Sequence, residues 1–149
     1  MADTVSTAEL LKSAPATWSD TVVLDYDARL LRRKLLTSTQ GVVFMVDLPT
    51  VTNLDDVWGF ALDKGHSVRI EAADEAVLVI TGDLPRLAWH IGNRHTPCQI
   101  LPDRLIIRQD HVLEGMLQGL GAKITRATLP FTPEGGAYGL GRTMGHSHD

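Results

Sequence analysis

The sequence predicts a mixed α+β protein in which a small N-terminal β-domain precedes a βαββαβ domain. Strand-like patterns occupy the first half of the chain, whereas strands and helices alternate in the second half. Glycines crowd the last residues, which predicts a flexible tail over residues 133–149. The length of 149 residues fits two small domains as well as one ordinary domain. The change of pattern near residue 75 therefore places the domain boundary.

The first half of the chain contains short apolar segments with strand character. Its first 20 residues are rich in Thr, Ser and Ala and show only a weak helical pattern, at residues 8–12, which predicts a loosely held beginning. The apolar run 42–46 in the middle of this half is expected to be closed by Asp47-Leu48-Pro49. The predicted strands cover residues 22–24, 30–36, 42–46 and 67–71. Residues 1–75 are thus predicted to form a β-domain.

Strands and helices alternate after residue 75. Pro102-Asp103 marks the turn of a hairpin, and Asp110 is expected to cap a helix that ends near Gly121. The predicted order is strand 76–80, helix 84–91, strands 97–101 and 105–108, helix 112–120 and strand 122–129. This is the order of the ferredoxin-like fold, in which both helices cover one face of a four-stranded antiparallel sheet. Residues 76–132 are therefore predicted to form a ferredoxin-like domain.

Composition and charge exclude several classes of function. A formal net charge of −4 argues against non-specific electrostatic binding to the phosphates of nucleic acids. No apolar stretch approaches the ~20 residues that cross a bilayer, and the N-terminus lacks the pattern of a secretory signal. The basic stretch at 29–34 is interpreted as a solvated strand face, with docking to a partner protein as the alternative. A cytoplasmic protein with no nucleic-acid or membrane partner is expected.

Histidines carry the most chemical information, because neutral imidazole binds Ni²⁺, Zn²⁺ and Cu²⁺. His95 lies at the predicted end of the first helix, where its role is either metal ligation or a charge that favours the helix C-terminus. His90 is five residues earlier, a spacing that does not place two rings side by side. His111 begins the second helix and is interpreted as a surface residue or a peripheral ligand. His146 and His148 lie on the tail, from which they could swing onto a metal.

The other reactive residues do not form a recognisable catalytic site. Cys98, the single cysteine, is interpreted as a small buried hydrophobe, so a metal must be held by imidazole or oxygen. The sequence has no Ser-His-Asp arrangement, no phosphate-cradling glycine loop and no helical His pair with a catalytic Glu. No enzyme activity is predicted.

Two blocks of sequence resemble the urease accessory protein E family. They read WHIGNRHTPCQI at residues 89–100 and DHVLEGML at residues 110–117. The resemblance continues through 129–131 and 133–139 and reaches back to Arg32-Arg33 and Asp47-Leu48-Pro49, so it covers most of the chain. Gln109 stands where several relatives have a histidine, so a peripheral site there is not implied.

The resemblance implies an N-terminal domain (1–75) similar to a chaperone's peptide-binding module and a metal-binding domain (76–132) through which two chains dimerise. It implies that His95 of each chain meets its copy at the two-fold axis, which doubles the ligand count. The resulting hypothesis is a nickel metallochaperone that delivers Ni²⁺ to apo-urease, with Zn²⁺ or Cu²⁺ able to substitute. Its ligands are His95, His146, His148 and His111, and its partners are the urease accessory GTPase and the urease apoprotein complex. The alternative is a peptide-binding chaperone adaptor in which metal binding is incidental.

Overall fold

The computed structural model describes residues 5–135 as a mixed α+β chain of mostly strands with two α-helices. The chain divides between Ala72 and Ala73 into two compact units, each with its own apolar core. Neither described helix is long and apolar enough to cross a membrane.

The N-terminal unit is a six-stranded sheet in the order β2-β6-β5-β1-β4-β3. Its strands are β1 (Ser6–Leu11), β2 (Asp20–Leu24), β3 (Leu30–Thr37), β4 (Val43–Asn53), β5 (Gly59–Leu62) and β6 (Ser67–Ala72). The pairs β1–β4 and β2–β6 are parallel, and the other neighbouring pairs are antiparallel. Phe44 and Phe60 centre the core with their rings 5.4 Å apart, and Val46 and Val68 are buried with them.

The structure differs from two predictions for this half. The beginning of the described chain is not loosely held, because β1 pairs with β5 from Ala8 to Leu11 and exposes alternate side chains. This pairing with a distant strand overrides the weak local helical pattern at residues 8–12. The strand predicted over residues 42–46 is not closed at Pro49, since β4 continues to Asn53. A shift in the β3–β4 register between Leu31 and Arg33 leaves the segment around Pro49 outside the ladder.

The basic stretch at 29–34 divides into one buried residue and an exposed group. Arg29 is only 3% exposed, and its guanidinium donates from Nε to Asp55 Oδ1 and from Nη1 to the Leu24 carbonyl, each at 2.8 Å. The prediction of a solvated strand face is therefore wrong for Arg29. It agrees with residues 32–34, which are exposed on β3 at the edge of the sheet.

The C-terminal unit is a four-stranded sheet in the order β10-β7-β9-β8, with every neighbouring pair antiparallel. Its elements are β7 (Asp74–Thr81), α1 (Leu84–Asn93), β8 (Gln99–Ile100), β9 (Leu105–Arg108), α2 (His111–Gly119) and β10 (Lys123–Pro130). Leu87 and Ile91 of α1 and Leu113 and Leu117 of α2 share one core with the strands. The apolar residues of each helix are spaced three or four apart, so each helix buries one face.

Candidate metal centre

His95 ends α1 in an unusual backbone conformation. The helix stops at Asn93, Arg94 caps it, and His95 follows with φ 58°. The His95 N–H donates to the Gly92 carbonyl at 2.9 Å, and the next N–H, of Thr96, donates to the Ile91 carbonyl at 3.4 Å. These two bonds form a Schellman motif, in which the left-handed position is usually glycine.

A histidine at this position strains the backbone. Among the described residues, His95 is the only non-glycine with positive φ. Such a conformation costs about 1 kcal/mol or more, although His tolerates it better than most side chains. The imidazole is exposed, so burial in the core does not offset this cost. The strain therefore points to a functional role for this residue.

The end of α1 lies against α2. Arg94 Nε contacts Met116 Sδ at 3.1 Å, which joins the cap of α1 to the middle of α2. Large apolar side chains stand exposed on both helices: Trp89 is 64% exposed and Val112 is 65% exposed. The helix pair thus presents apolar groups to solvent on the same elements that position His95.

The other candidate histidines lie in different settings. His90 is half-buried and its ring stands edge-on to Trp89, with centroids 5.0 Å apart. His111 is exposed at the first position of α2, where the Asp110 carboxylate accepts from the N–H groups of the next two residues. His146 and His148 lie outside the described residues. Within residues 5–135 of one chain, no group of three or more His, Cys, Asp or Glu side chains is placed to hold a metal ion.

Cys98 is unsuited to metal binding in its present environment. Burial of the half-buried thiol raises its pKa from 9.0 to about 11, although a backbone hydrogen bond from Ile106 lowers it. The thiol Sγ lies 3.7 Å from the Gln99 carbonyl, to which it donates. Because the thiolate is the metal-binding form and the raised pKa favours the protonated thiol near neutral pH, Cys98 is a weaker candidate ligand than an exposed imidazole.

The chain returns to the neighbourhood of His95 after β10. Phe131 is fully buried, and the Thr132 N–H donates to Gln99 Oε1 at 3.1 Å. The Glu134 N–H then donates to the Cys98 carbonyl at 2.8 Å. The described chain therefore ends, at Gly135, beside a residue only three positions after His95.

Comparisons with known proteins agree for both units. Residues 3–73 match the sequence profile of the UreE urease accessory protein, N-terminal domain, and residues 75–149 match that of its C-terminal domain. A urease accessory protein UreE of Rhodobacter capsulatus is 61% identical over 134 residues, which cover 88% of this chain and 86% of that protein. The chain belongs to the UreE family. The resemblance first seen at residues 89–100 and 110–117 is thereby confirmed.

Further UreE relatives span a wide range of identity. A urease accessory protein UreE of Paracoccus denitrificans is 60% identical, covering 90% of this chain and 86% of its own length. One from a Chelativorans strain is 44% identical, covering 87% and 84%. The UreE family is one of urease accessory chaperones, which act in urease maturation and are not enzymes.

Two features of the structure were not predicted from sequence. His95 was placed at a helix end, but its left-handed backbone was not foreseen; the available signal was the lack of a glycine between Gly92 and Pro97. Trp18 and Trp58 line a common pocket in the N-terminal unit although 40 positions separate them. The only sequence signal was Trp58, a large aromatic residue two positions after Asp56.

Proposed function

We propose that the protein is a nickel metallochaperone that binds Ni²⁺ through His95 and delivers it to apo-urease. The observation that carries this proposal is the exposed imidazole held in a strained left-handed turn at the end of α1. An exposed imidazole near neutral pH is a good ligand for Ni²⁺, and Zn²⁺ or Cu²⁺ can replace it. Membership of the urease accessory chaperone family supports urease as the protein that receives the metal.

A homodimer completes the site. One imidazole binds a metal weakly, whereas a two-fold axis near His95 brings two imidazoles to one ion. The exposed Trp89 and Val112 supply apolar surface that a second protomer would cover. This role belongs to the predicted metal-binding domain (76–132) within the C-terminal unit, whose element order and antiparallel sheet support a ferredoxin-like assignment.

His146 and His148 are proposed to supply further ligands from the C-terminal segment 133–149. His146 follows Gly135 by eleven residues, a length that spans at most about 36–40 Å when extended. Cys98, beside which the described chain ends, is three residues from His95, a separation of at most about 11 Å. The chain length therefore permits these histidines to reach the ion. His111 is kept as a peripheral ligand at the start of α2.

Partners and location follow from the same role. We place the protein in the cytoplasm, where it passes Ni²⁺ to the complex of urease apoprotein and the urease accessory GTPase. Few protein ligands favour release of the ion to a partner, because affinity grows with the number of preorganised ligands. The predicted N-terminal domain (1–75), which contains the N-terminal unit, is proposed to bind partner proteins.

Calorimetric titration of Ni²⁺ into the full chain, with mass measured in solution, tests this function. The wild type is expected to be a dimer that binds one tight Ni²⁺ for each pair of chains. His95→Ala should lose this site, and the His146→Ala/His148→Ala double variant should bind more weakly. His66→Ala, at an exposed position of the N-terminal unit, is the control and should bind as the wild type does. Unchanged binding by His95→Ala would reject the proposal.

A further inference from the structure

The N-terminal unit contains a pocket that the nickel site does not use. Its volume is ≈ 500 Å³, within the range of about 300–1,000 Å³ typical of ligand sites. The lining residues combine two indoles, two carboxylates and one guanidinium with apolar side chains. They are Trp18, Asp55, Asp56, Val57, Trp58, Arg69 and Ile70.

The Trp58 side chain is exposed, whereas its backbone N–H and carbonyl are both hydrogen-bonded. Trp58 is 54% exposed, although most of its large ring surface is apolar. The Trp58 N–H donates to the Leu11 carbonyl at 2.9 Å, and its carbonyl accepts from the Ile70 N–H at 3.1 Å. These bonds hold the residue between two strands, so the indole is presented from a rigid position.

Trp18 is held just as firmly. A Cβ atom added to Gly59 would lie 2.7 Å and 2.9 Å from two carbons of the Trp18 ring, so the indole rests on bare backbone. Residues on both sides of Trp18 are bound to Ser67: its Oγ donates to the Thr17 carbonyl at 3.1 Å, and its carbonyl accepts from the Ser19 N–H at 2.9 Å. The pocket is therefore built before any ligand arrives, which reduces the entropy lost on binding.

The charges around the pocket leave it acidic. Arg29 fixes Asp55 through the 2.8 Å ion pair, and Arg69 lies 4.0 Å from Glu71. Asp56 adds a further carboxylate in the exposed part of the lining. The lining itself thus holds two carboxylates and one guanidinium, and Asp55 and Arg69 each have an ionic partner outside the lining, so the formal charge of the pocket is negative and favours a cation.

We propose that this pocket binds an arginine or lysine side chain presented by a segment of a partner protein. A cation over an indole face is attracted to the ring's negative potential, and its alkyl stem packs against the apolar walls. Asp56 supplies the opposite charge. This inference deepens the partner-binding role proposed for the N-terminal unit and rests on it. A purely apolar side chain would gain nothing from the carboxylates, and an acidic side chain would be repelled by them.

Nuclear magnetic resonance of the full chain with labelled indoles tests this inference. The chain has three tryptophans, and Trp89, in the other unit, serves as an internal control. The probe is a short acetylated and amidated glycine peptide with one central arginine; matched peptides carry norleucine or glutamate instead. We expect the arginine peptide to shift the indole N–H signals of Trp18 and Trp58 but not that of Trp89. Equal binding of the norleucine peptide, tighter binding of the glutamate peptide, or no selective shift would overturn the proposal.

Substitutions then test the individual contacts. Trp58→Ala should lower the affinity for the arginine peptide about tenfold, and Asp56→Asn should lower it about threefold. Asp47→Asn removes a matched exposed carboxylate of the same unit, one that lies 3.9 Å from Arg33, and should leave the affinity unchanged. If Trp58→Ala does not fold, Asp56→Asn still decides, because its side chain is isosteric and exposed. If Asp56→Asn and Asp47→Asn lowered the affinity for the arginine peptide equally, the proposed role of the pocket would be rejected.

Nickel titration of the same samples separates this inference from the nickel proposal. Asp56→Asn should bind Ni²⁺ as the wild type does, because the pocket residues lie in the N-terminal unit. A wild type that binds the peptide but no nickel would reject the metallochaperone and keep the pocket. A wild type that binds nickel but not the peptide would reject the pocket proposal and keep the metallochaperone proposal.

Discussion

The two helices of the C-terminal unit end in the same backbone motif, but with different residues. His95 follows α1 with φ 58°, and Gly121 follows α2 with φ 87°. In each motif the N–H groups of this residue and of the next one donate to carbonyls of the last helical turn. The distances are 2.9 and 3.4 Å after α1, and 3.0 and 3.0 Å after α2.

The two helix ends differ in the steric cost of the residue that adopts the left-handed backbone. Gly121 satisfies the backbone at no steric cost, as expected where a helix only has to stop. His95 occupies the same geometry at a cost and leaves one of the two bonds longer. A strained polar residue at a position suited to glycine is best explained by a function of that residue. The following experiments exchange or remove these two residues.

The exchange variant His95→Gly/Gly121→His should have the largest effect. It keeps the histidine count and both turn geometries but moves the imidazole from α1 to α2. We expect Ni²⁺ affinity to fall at least about 100-fold, since even loss of a residue that supports a ligand costs about 10- to 100-fold. Calorimetric titration checks this. If the exchanged chain kept wild-type affinity, the end of α1 would have no special role.

Gly121→Ala should give the next largest effect, now on stability. Apart from the adjacent residues, no described heavy atom lies within 4 Å of a Cβ added at Gly121, so the substitution adds backbone strain without a clash. We expect the free energy of unfolding of this unit to fall by about 1–2 kcal/mol. Native-state hydrogen exchange of the β7 and β10 amides in the full chain measures it. His95→Ala, which replaces one strained residue by another, is the control and should change stability far less.

His95→Gly should show a smaller effect of the opposite sign. Glycine relieves the strain at φ 58°, while its greater freedom in the unfolded chain offsets part of the gain. We expect a net stabilisation of about 0.5 kcal/mol, measured by the same hydrogen exchange. A clear destabilisation would mean that the His95 side chain supports its own fold, and the comparison with Gly121 would then fail.

Local signals explain which parts of the fold were predictable. Both helices were expected from apolar residues at helical spacing, and Asp110 was expected to cap α2, as it does. Such signals act within one or two turns, so the sequence displays them directly. The hairpin around Pro102-Asp103 was foreseen for the same reason, although its strand β8 is shorter than expected.

The parts of the fold that could not be predicted depend on residues that are far apart in the sequence. The strand β1 is defined by pairing with β5, which lies some fifty residues away, and its own pattern is too short to reveal it. Arg29 is buried because Asp55, 26 positions later, neutralises it. The candidate site shows the same division, since the sequence located His95 at a helix end but could not show its left-handed backbone.

Cys98 offers the smallest expected effect and shows that proximity to His95 is not sufficient for metal binding. Its thiol pKa is raised by burial to about 11, so between pH 9 and 11 the folded chain holds a proton that the unfolded chain releases. Stability from this group is thus present below pH 9 and is lost as the pH rises towards 11. Alkylation of the folded chain by iodoacetamide should therefore remain slow until the pH approaches 11, and Cys98→Ser should bind Ni²⁺ as the wild type does. Rapid alkylation near neutral pH, or weaker nickel binding by Cys98→Ser, would instead make this thiol part of the site.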